Sequence, residues 1–320
     1  MRISQRQQEL ERLAWAGGFF DGEGSTFARS ESARPGYRQL NVAVPQSGGA
    51  RVPEVLTRFA EALPGLGAIG RPSGSIFKWH ATDHTRSRMA IEALGPWIGE
   101  VKLAQARAAI AAVDEQYASG RHRPQAVRYR AVAPRSHAAR PADPWARARL
   151  DRAWAAGFLD AEGYFGLVRA APRVGGQPWH RIRASASQHG EVGRPAVVLE
   201  ELHRIVAVGR IERHGEEDDF KWVAEGLPAI ENVLDVVGPW LGEVKRDQAR
   251  DAIEAFTDQV RFKGGGFCKR GHLYDRRVVT KARRMRAYCN ACARLTSRRI
   301  RAEQGTAPRQ FKDERRRYTE

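Results

Sequence analysis

The chain has no cysteine before position 268, no run of 18 apolar residues, and too few acids to balance its bases. Three cysteines, an odd and clustered set, exclude a disulfide framework. Without a long apolar run there is no candidate transmembrane helix, and the opening MRISQRQQELERL lacks the apolar centre of a signal peptide. Its 37 acids face 54 Lys and Arg, giving a formal charge of +17 and a pI near 10.5. That excess predicts a polyanionic partner, nucleic acid first and a membrane surface second. A soluble, cytoplasmic protein associated with the nucleoid is therefore expected. The 42% hydrophobic content leaves material for sizeable cores in two or three domains.

What the sequence does contain, it contains twice. LAWAGGFFDGEG at 13–24 returns as RAWAAGFLDAEG at 152–163, and LGPWIGEVKLAQARAAI from Leu94 returns as VGPWLGEVKRDQARDAI from Val237. Phe77-Lys78-Trp79 likewise matches Phe220-Lys221-Trp222. Self-similarity at fixed spacing means one fold, duplicated and fused. Within the first motif, Ala14, Gly17, Gly18 and Asp21 share a helix face, as do Ala153, Ala156, Gly157 and Asp160 in the second. Glycine inside a helix costs about 1 kcal/mol against alanine, so a close backbone approach is expected there. The simplest partner is the equivalent face of the other copy. Gly24 and Gly163 then suit a chain reversal out of each helix.

That packing would set Glu23 beside Glu162. Two carboxylates at helix C-termini oppose the helix dipole and repel one another. A divalent cation relieves both conflicts, and hard oxygen ligands with phosphate suit Mg²⁺. An acidic cap exposed to water explains a single copy well enough; it does not explain two at the same point of a repeat.

The cysteines form CKRGH from Cys268 to His272, followed by Cys289-Asn-Ala-Cys292. Three thiolates and one imidazole make a closed tetrahedral zinc set. Gly264–Gly266 separates that module as a flexible joint. Periodicity predicts an α+β chain of tandem αββαββαα repeats with antiparallel sheets: helices over 5–21 and 148–160, second strands over 38–46 and 179–188, and last helices over 99–117 and 242–259. The domain reading is a first repeat over 1–117, a basic Pro/Arg/Ala linker over 118–147, a second repeat over 148–262, a zinc-binding module over 263–300 and a basic disordered tail over 301–320.

The paired motifs, the repeat order and the basic balance resemble the LAGLIDADG homing endonucleases in their single-chain, two-repeat form. The likeness covers roughly residues 5–260, and AGFLDAEG at 156–163 is a close match to the family motif. The resemblance implies that Glu23 and Glu162 bind the divalent ions for cleavage and that two sheets form a saddle over double-stranded DNA. It further implies catalytic positions for Gln46 and Gln188, at the ends of the second strands, and for Lys102 and Lys245, at the starts of the last long helices. On the saddle, strand parity offers Gln39, Asn41 and Ala43 from one half and Arg181, Arg183 and Ser185 from the other. Because the two sets differ, the target is expected to be asymmetric and the protein a monomer. The zinc segment resembles knuckles appended to phage and mobile-element nucleases, with Arg283, Arg284, Arg286, Arg298 and Arg299 meeting phosphate. The function implied is site-specific double-strand cleavage with Mg²⁺ at the active site and structural Zn²⁺. The alternative is a non-cleaving DNA- or RNA-binding protein on the same scaffold, a splicing cofactor or transcription regulator.

Overall fold

The computed structural model of the chain describes residues 3–30, 37–81, 83–118, 141, 143–170, 179–215, 218–262, 276–279 and 285–288. The chain divides into two compact units, Met1–Ile253 and Glu254–Glu320. The first holds both repeats up to the middle of the last helix. The first repeat runs α1 (Gln5–Glu23), β1 (Ser25–Ser30), β2 (Arg38–Ser47), α2 (Glu54–Ala62), β3 (Gly67–Ile69), β4 (Ile76–Ala81), α3 (His84–Leu94) and α4 (Glu100–Ala118). The second runs α5 (Pro144–Glu162), β5 (Tyr164–Ala170), β6 (Trp179–His189), α6 (Val197–Val206), β7 (Arg210–Arg213), β8 (Asp219–Glu225), α7 (Leu227–Val237) and α8 (Glu243–Phe262). The expected α+β repeat is therefore present in both copies.

Each repeat holds a four-stranded antiparallel sheet, ordered β1-β2-β4-β3 in the first and β5-β6-β8-β7 in the second. The strands alternate as a half-buried sheet must. In β4, Phe77 and Trp79 are buried while Lys78 and His80 are exposed. The buried face of the first sheet meets an aromatic cluster in which Phe19 and Trp79 flank Phe59, at ring-centroid distances of 5.9 and 5.0 Å. Alternation is less strict at the strand centres. Ala43 stands between Ser25 and His80, and Ser185 between Tyr164 and Val223. Both short side chains are buried, so neither offers the open surface that parity assigned to it.

Helix starts follow from capping. Ser4 accepts from Gln7 N at 3.2 Å to open α1. Asp143 accepts from Ala146 N at 2.9 Å, with Pro144 in the first turn, so α5 starts within the stretch read as linker. The three-residue β3, with Gly67 at its start, is the strand that the repeat order requires, too short to show a period of its own.

The two motif helices, α1 and α5, pack directly on one another. A Cβ added to Gly18 would lie 1.9 Å from Trp154 O, and one at Gly157 would lie 1.9 Å from Trp15 O. The close approach expected from the glycines is thus between the copies at these two positions. Gly17 differs: its missing Cβ leaves room for Trp97 of its own repeat, 2.4 Å from where that Cβ would stand. Gly24 and Gly163 correct another expectation. Their φ angles are −73° and −71°, in the extended region. Each helix passes to its strand through an extended glycine rather than a left-handed one, and glycine is needed for space: a Cβ at Gly24 would meet the Phe20 ring at 2.3 Å, and one at Gly163 would meet Leu159 O at the same distance.

In the second unit, β9 (Arg276–Val279) and β10 (Met285–Tyr288) form an antiparallel hairpin in which Arg276 faces Tyr288. Cys268, His272, Cys289 and Cys292 lie outside the described residues, as do Arg283, Arg284, Arg298, Arg299, most of the linker and the tail over 301–320.

Candidate active site

Glu23 and Glu162 are the last residues of α1 and α5, so the close helix crossing brings their carboxylates to one place. A Cβ at Gly22 would lie 2.5 Å from Ala161 Cβ and 3.0 Å from Glu162 Cγ. Only one of the two facing positions can carry a methyl group; here it is Ala161. Gln46, near the end of β2, donates from Nε2 to Glu23 Oε1 at 3.0 Å. Gln188, near the end of β6, takes the corresponding place in the second repeat and lowers the pKa of the Glu162 carboxyl.

The lysines come from the first turns of α4 and α8. Lys102 Nζ donates to Gly24 O at 2.6 Å, and Lys245 Nζ donates to Gly163 O. Each lysine thereby satisfies a carbonyl just beyond the motif helix, and its charge reaches both glutamates. Burial pushes the Glu23 carboxyl above its usual range, the Glu162 charge adds to that, and Gln46, Lys102 and Lys245 oppose it. Glu162 is also raised, by burial, against the pull of Lys102, Lys245 and Gln188. Burial lowers both lysines, while the surrounding carboxylates act the other way. The result is a pseudo-symmetric cluster in which two half-buried acids crowd each other and two amines partly compensate. Two oxygen acids with flanking cations are the kind of donor set that could hold a hard divalent ion beside a phosphate.

The first acid of each motif has a different task. Asp21 accepts from Gly99 N at 2.8 and 2.9 Å and from the Trp154 indole at 2.9 Å. Asp160 accepts from Gly242 N at 2.9 and 2.8 Å and from the Trp15 indole at 2.8 Å. Each aspartate therefore ties three things together: its own helix, the turn that launches the lysine-bearing helix, and the opposite repeat. Burial pushes both carboxyls up to about 6, even with those donors lowering them. The sequence reading gave Asp21 and Asp160 only a place on the small face. The signal for their role was present in the recurring tryptophan of each motif and the Gly after each Pro-Trp.

On the outer sheet faces, Gln39 is exposed and Asn41 half-buried. Arg181 and Arg183 are on the corresponding face of the second sheet, where both meet Glu225. Arg286 lies in β10, apart from this cluster in sequence and unit.

No protein-family model matches the sequence, and no curated protein matches it. Solved structures do. The LAGLIDADG meganuclease I-AabMI bound to uncleaved DNA aligns with a TM-score of 0.54 at 15% identity, covering 78% of this chain and 92% of that one. I-SmaMI bound to an uncleaved DNA target in the presence of calcium ions aligns at 0.49 with 16% identity, over 77% and 92% of the two chains. The LAGLIDADG homing endonuclease I-GzeII in complex with its DNA target aligns at 0.49 with 12% identity, over 81% and 94%. The likeness to I-AabMI, together with the tandem αββαββαα order, gives this chain the two-repeat saddle fold of the LAGLIDADG meganucleases.

Proposed function

We propose that the protein is a monomeric, divalent-metal-dependent endonuclease that cuts both strands of double-stranded DNA at a specific, asymmetric site. The observation that carries the reading is the paired constellation of Glu23, Gln46 and Lys102 with Glu162, Gln188 and Lys245 at the meeting of two helix ends. A structural cap has no use for two acids raised by burial, one of them further by the other's charge. Mg²⁺ fits this donor set, and when bound it would lower the barrier to phosphodiester hydrolysis by stabilising the attacking and leaving oxygens. Glu23 and Glu162 would hold the cation. Gln46, through its hydrogen bond to Glu23, and Gln188, beside Glu162, would orient those carboxylates. Lys102 and Lys245 would neutralise the scissile phosphate. The +17 charge supplies the electrostatic part of DNA affinity.

The retention of both glutamates and both glutamine–lysine sets favours cleavage over a binding-only role as splicing cofactor or regulator. A cleavage selection from a randomised duplex library in Mg²⁺, followed by Glu23→Gln and Glu162→Gln variants, tests this. Each variant is expected to bind the selected site and fail on at least one strand. Undiminished double-strand cutting by either variant defeats the assignment.

The carboxyl-terminal cysteines fit a structural zinc. Cys268 and His272 precede the β9–β10 hairpin and Cys289 follows Tyr288 directly, so the chain carrying each ligand pair joins the hairpin at its Arg276–Tyr288 end. Zinc there would supply folding energy to a segment too short for its own core, and the module would add phosphate contacts through tethering.

A further inference from the structure

The two sheets share a topology but not a charge pattern. Strands β1 to β4 contain no aspartate or glutamate, whereas β7 and β8 carry Glu212, Asp219 and Glu225. All three sit on the outer face, opposite to buried Phe220, Trp222 and Ala224, and each meets an Arg or His side chain there. Glu212 receives a hydrogen bond from Arg210 Nε at 3.0 Å, and Asp219 lies 3.0 Å from His189 Nδ1. Glu225 is the centre of the pattern. It accepts from Arg181 Nη1 at 3.1 Å on one oxygen and from Arg183 Nε at 3.0 Å on the other, with Arg183 Nη2 joining the second bond.

An acid on a face meant for DNA repels phosphate, so its presence needs a reason. We propose that Glu225 is a positioning residue for specificity, holding Arg181 and Arg183 as base-reading guanidiniums on the second sheet. The proposal rests on the DNA reading above. A lone arginine on a strand is free to seek phosphate, which carries no sequence information. Arg183 instead spends Nε and one Nη2 hydrogen on Glu225, which leaves the outer Nη1–Nη2 edge as a fixed fork. That fork matches the O6 and N7 acceptors of guanine in the major groove. Arg183 faces Glu225 directly across the β6–β8 ladder, so backbone register sets the geometry. Burial pushes the Glu225 carboxyl up, but the hydrogen bond and charge of Arg183, then of Arg181, outweigh it and hold it below the ordinary value. The carboxylate is ionised, and the three groups together present one net positive charge. The first sheet, with Lys78, Arg29 and no acid, supplies attraction without this restraint.

The test compares binding, in EDTA to prevent cleavage, to a duplex selected by the wild-type protein and to random-sequence duplex of equal length. Glu225→Gln is expected to lower the selected-to-random preference about ten-fold, the scale of one bidentate base contact. It should also steepen the salt dependence of random-duplex binding by about one in the log–log slope, because one negative charge is gone. Arg183→Gln should lose preference to a similar degree without the steeper slope, and it serves as the second readout if Glu225→Gln unfolds. Unchanged preference in both folded variants overturns the role of Glu225 while leaving the nuclease reading intact. A wild-type protein that binds no DNA overturns the reading beneath it.

Discussion

Trp15 in α1 donates its indole N–H to Asp160 in α5 at 2.8 Å, and Trp154 returns the same bond to Asp21 at 2.9 Å. The exchange crosses the repeat boundary twice and ends on the carboxylates that also hold Gly99 and Gly242. Packing between the halves and placement of Lys102 and Lys245 are therefore one structural problem with one solution. Trp15→Phe keeps the ring stacked on Phe19, 5.2 Å away, but removes a donor from a buried acid. A lost hydrogen bond to a buried charged acceptor costs roughly 1.5–3 kcal/mol. Chemical denaturation should show a loss of that size for Trp15→Phe and for Trp154→Phe. No change in either would mean that the indoles only pack.

Acid pH acts on the same clamp. The folded pKa of Asp160, about 6, lies above the ordinary 3.8. A raised carboxyl contributes stability that is complete below the ordinary value and is lost as pH rises through 6, by about 3 kcal/mol for a change of this size. Asp160→Asn carries no such titration. The difference in unfolding free energy between wild type and Asp160→Asn should therefore shift against the wild type between pH 4 and pH 7. A difference that is flat over that window contradicts the burial argument.

Steric fit at the helix crossing gives a sharper test. Gly22→Ala would set its methyl 2.5 Å from Ala161 Cβ. Overpacking of this kind costs about 1–3 kcal/mol. The exchange Gly22→Ala with Ala161→Gly keeps one methyl group at the crossing and should recover most of the loss. Thermal midpoints of the single and double variants decide it; a double variant no better than Gly22→Ala would show that the pair does not share a space.

The legibility of this fold followed repetition. The motif helices, their glycine contacts at Gly18 and Gly157, and the six polar residues around the helix ends all recur at matching places, so the second copy vouched for the first. Repetition does not reveal what stands opposite. Asp21 and Asp160 looked like members of a small-residue face because a one-dimensional pattern does not show which tryptophan meets which acid. Glu225 was missed for a related reason: strand parity placed Arg181 and Arg183 on the open face but said nothing of the neighbouring strand. Ala43 and Ser185 are buried all the same, because strand parity gives a side chain's direction and not what stands over it. The start of α5 at Pro144 was obscured by a basic, proline-rich stretch whose composition reads as linker until Asp143 is recognised as a cap.

The two lysines allow the cleavage reading to be dissected strand by strand. Lys102 and Lys245 stand at equivalent points of the two repeats, each bonded to the carbonyl that follows its own motif glutamate. If each amine serves the phosphate nearest its own repeat, loss of one should slow one strand and spare the other. Lys102→Met keeps the length and apolar stem of the side chain and removes only the charge and its donors. On supercoiled plasmid carrying the selected site, Lys102→Met and Lys245→Met should each accumulate nicked circles, with the second cut slowed by about 10²–10³, the usual scale for removing one preorganised electrostatic group. Strand-specific labelling should place the two nicks on opposite strands. The double variant should bind the site and leave it intact. Linear product at the wild-type rate from either single variant would remove the lysines from the chemistry. Equal slowing of both strands by one variant would replace two independent half-sites with a single shared one.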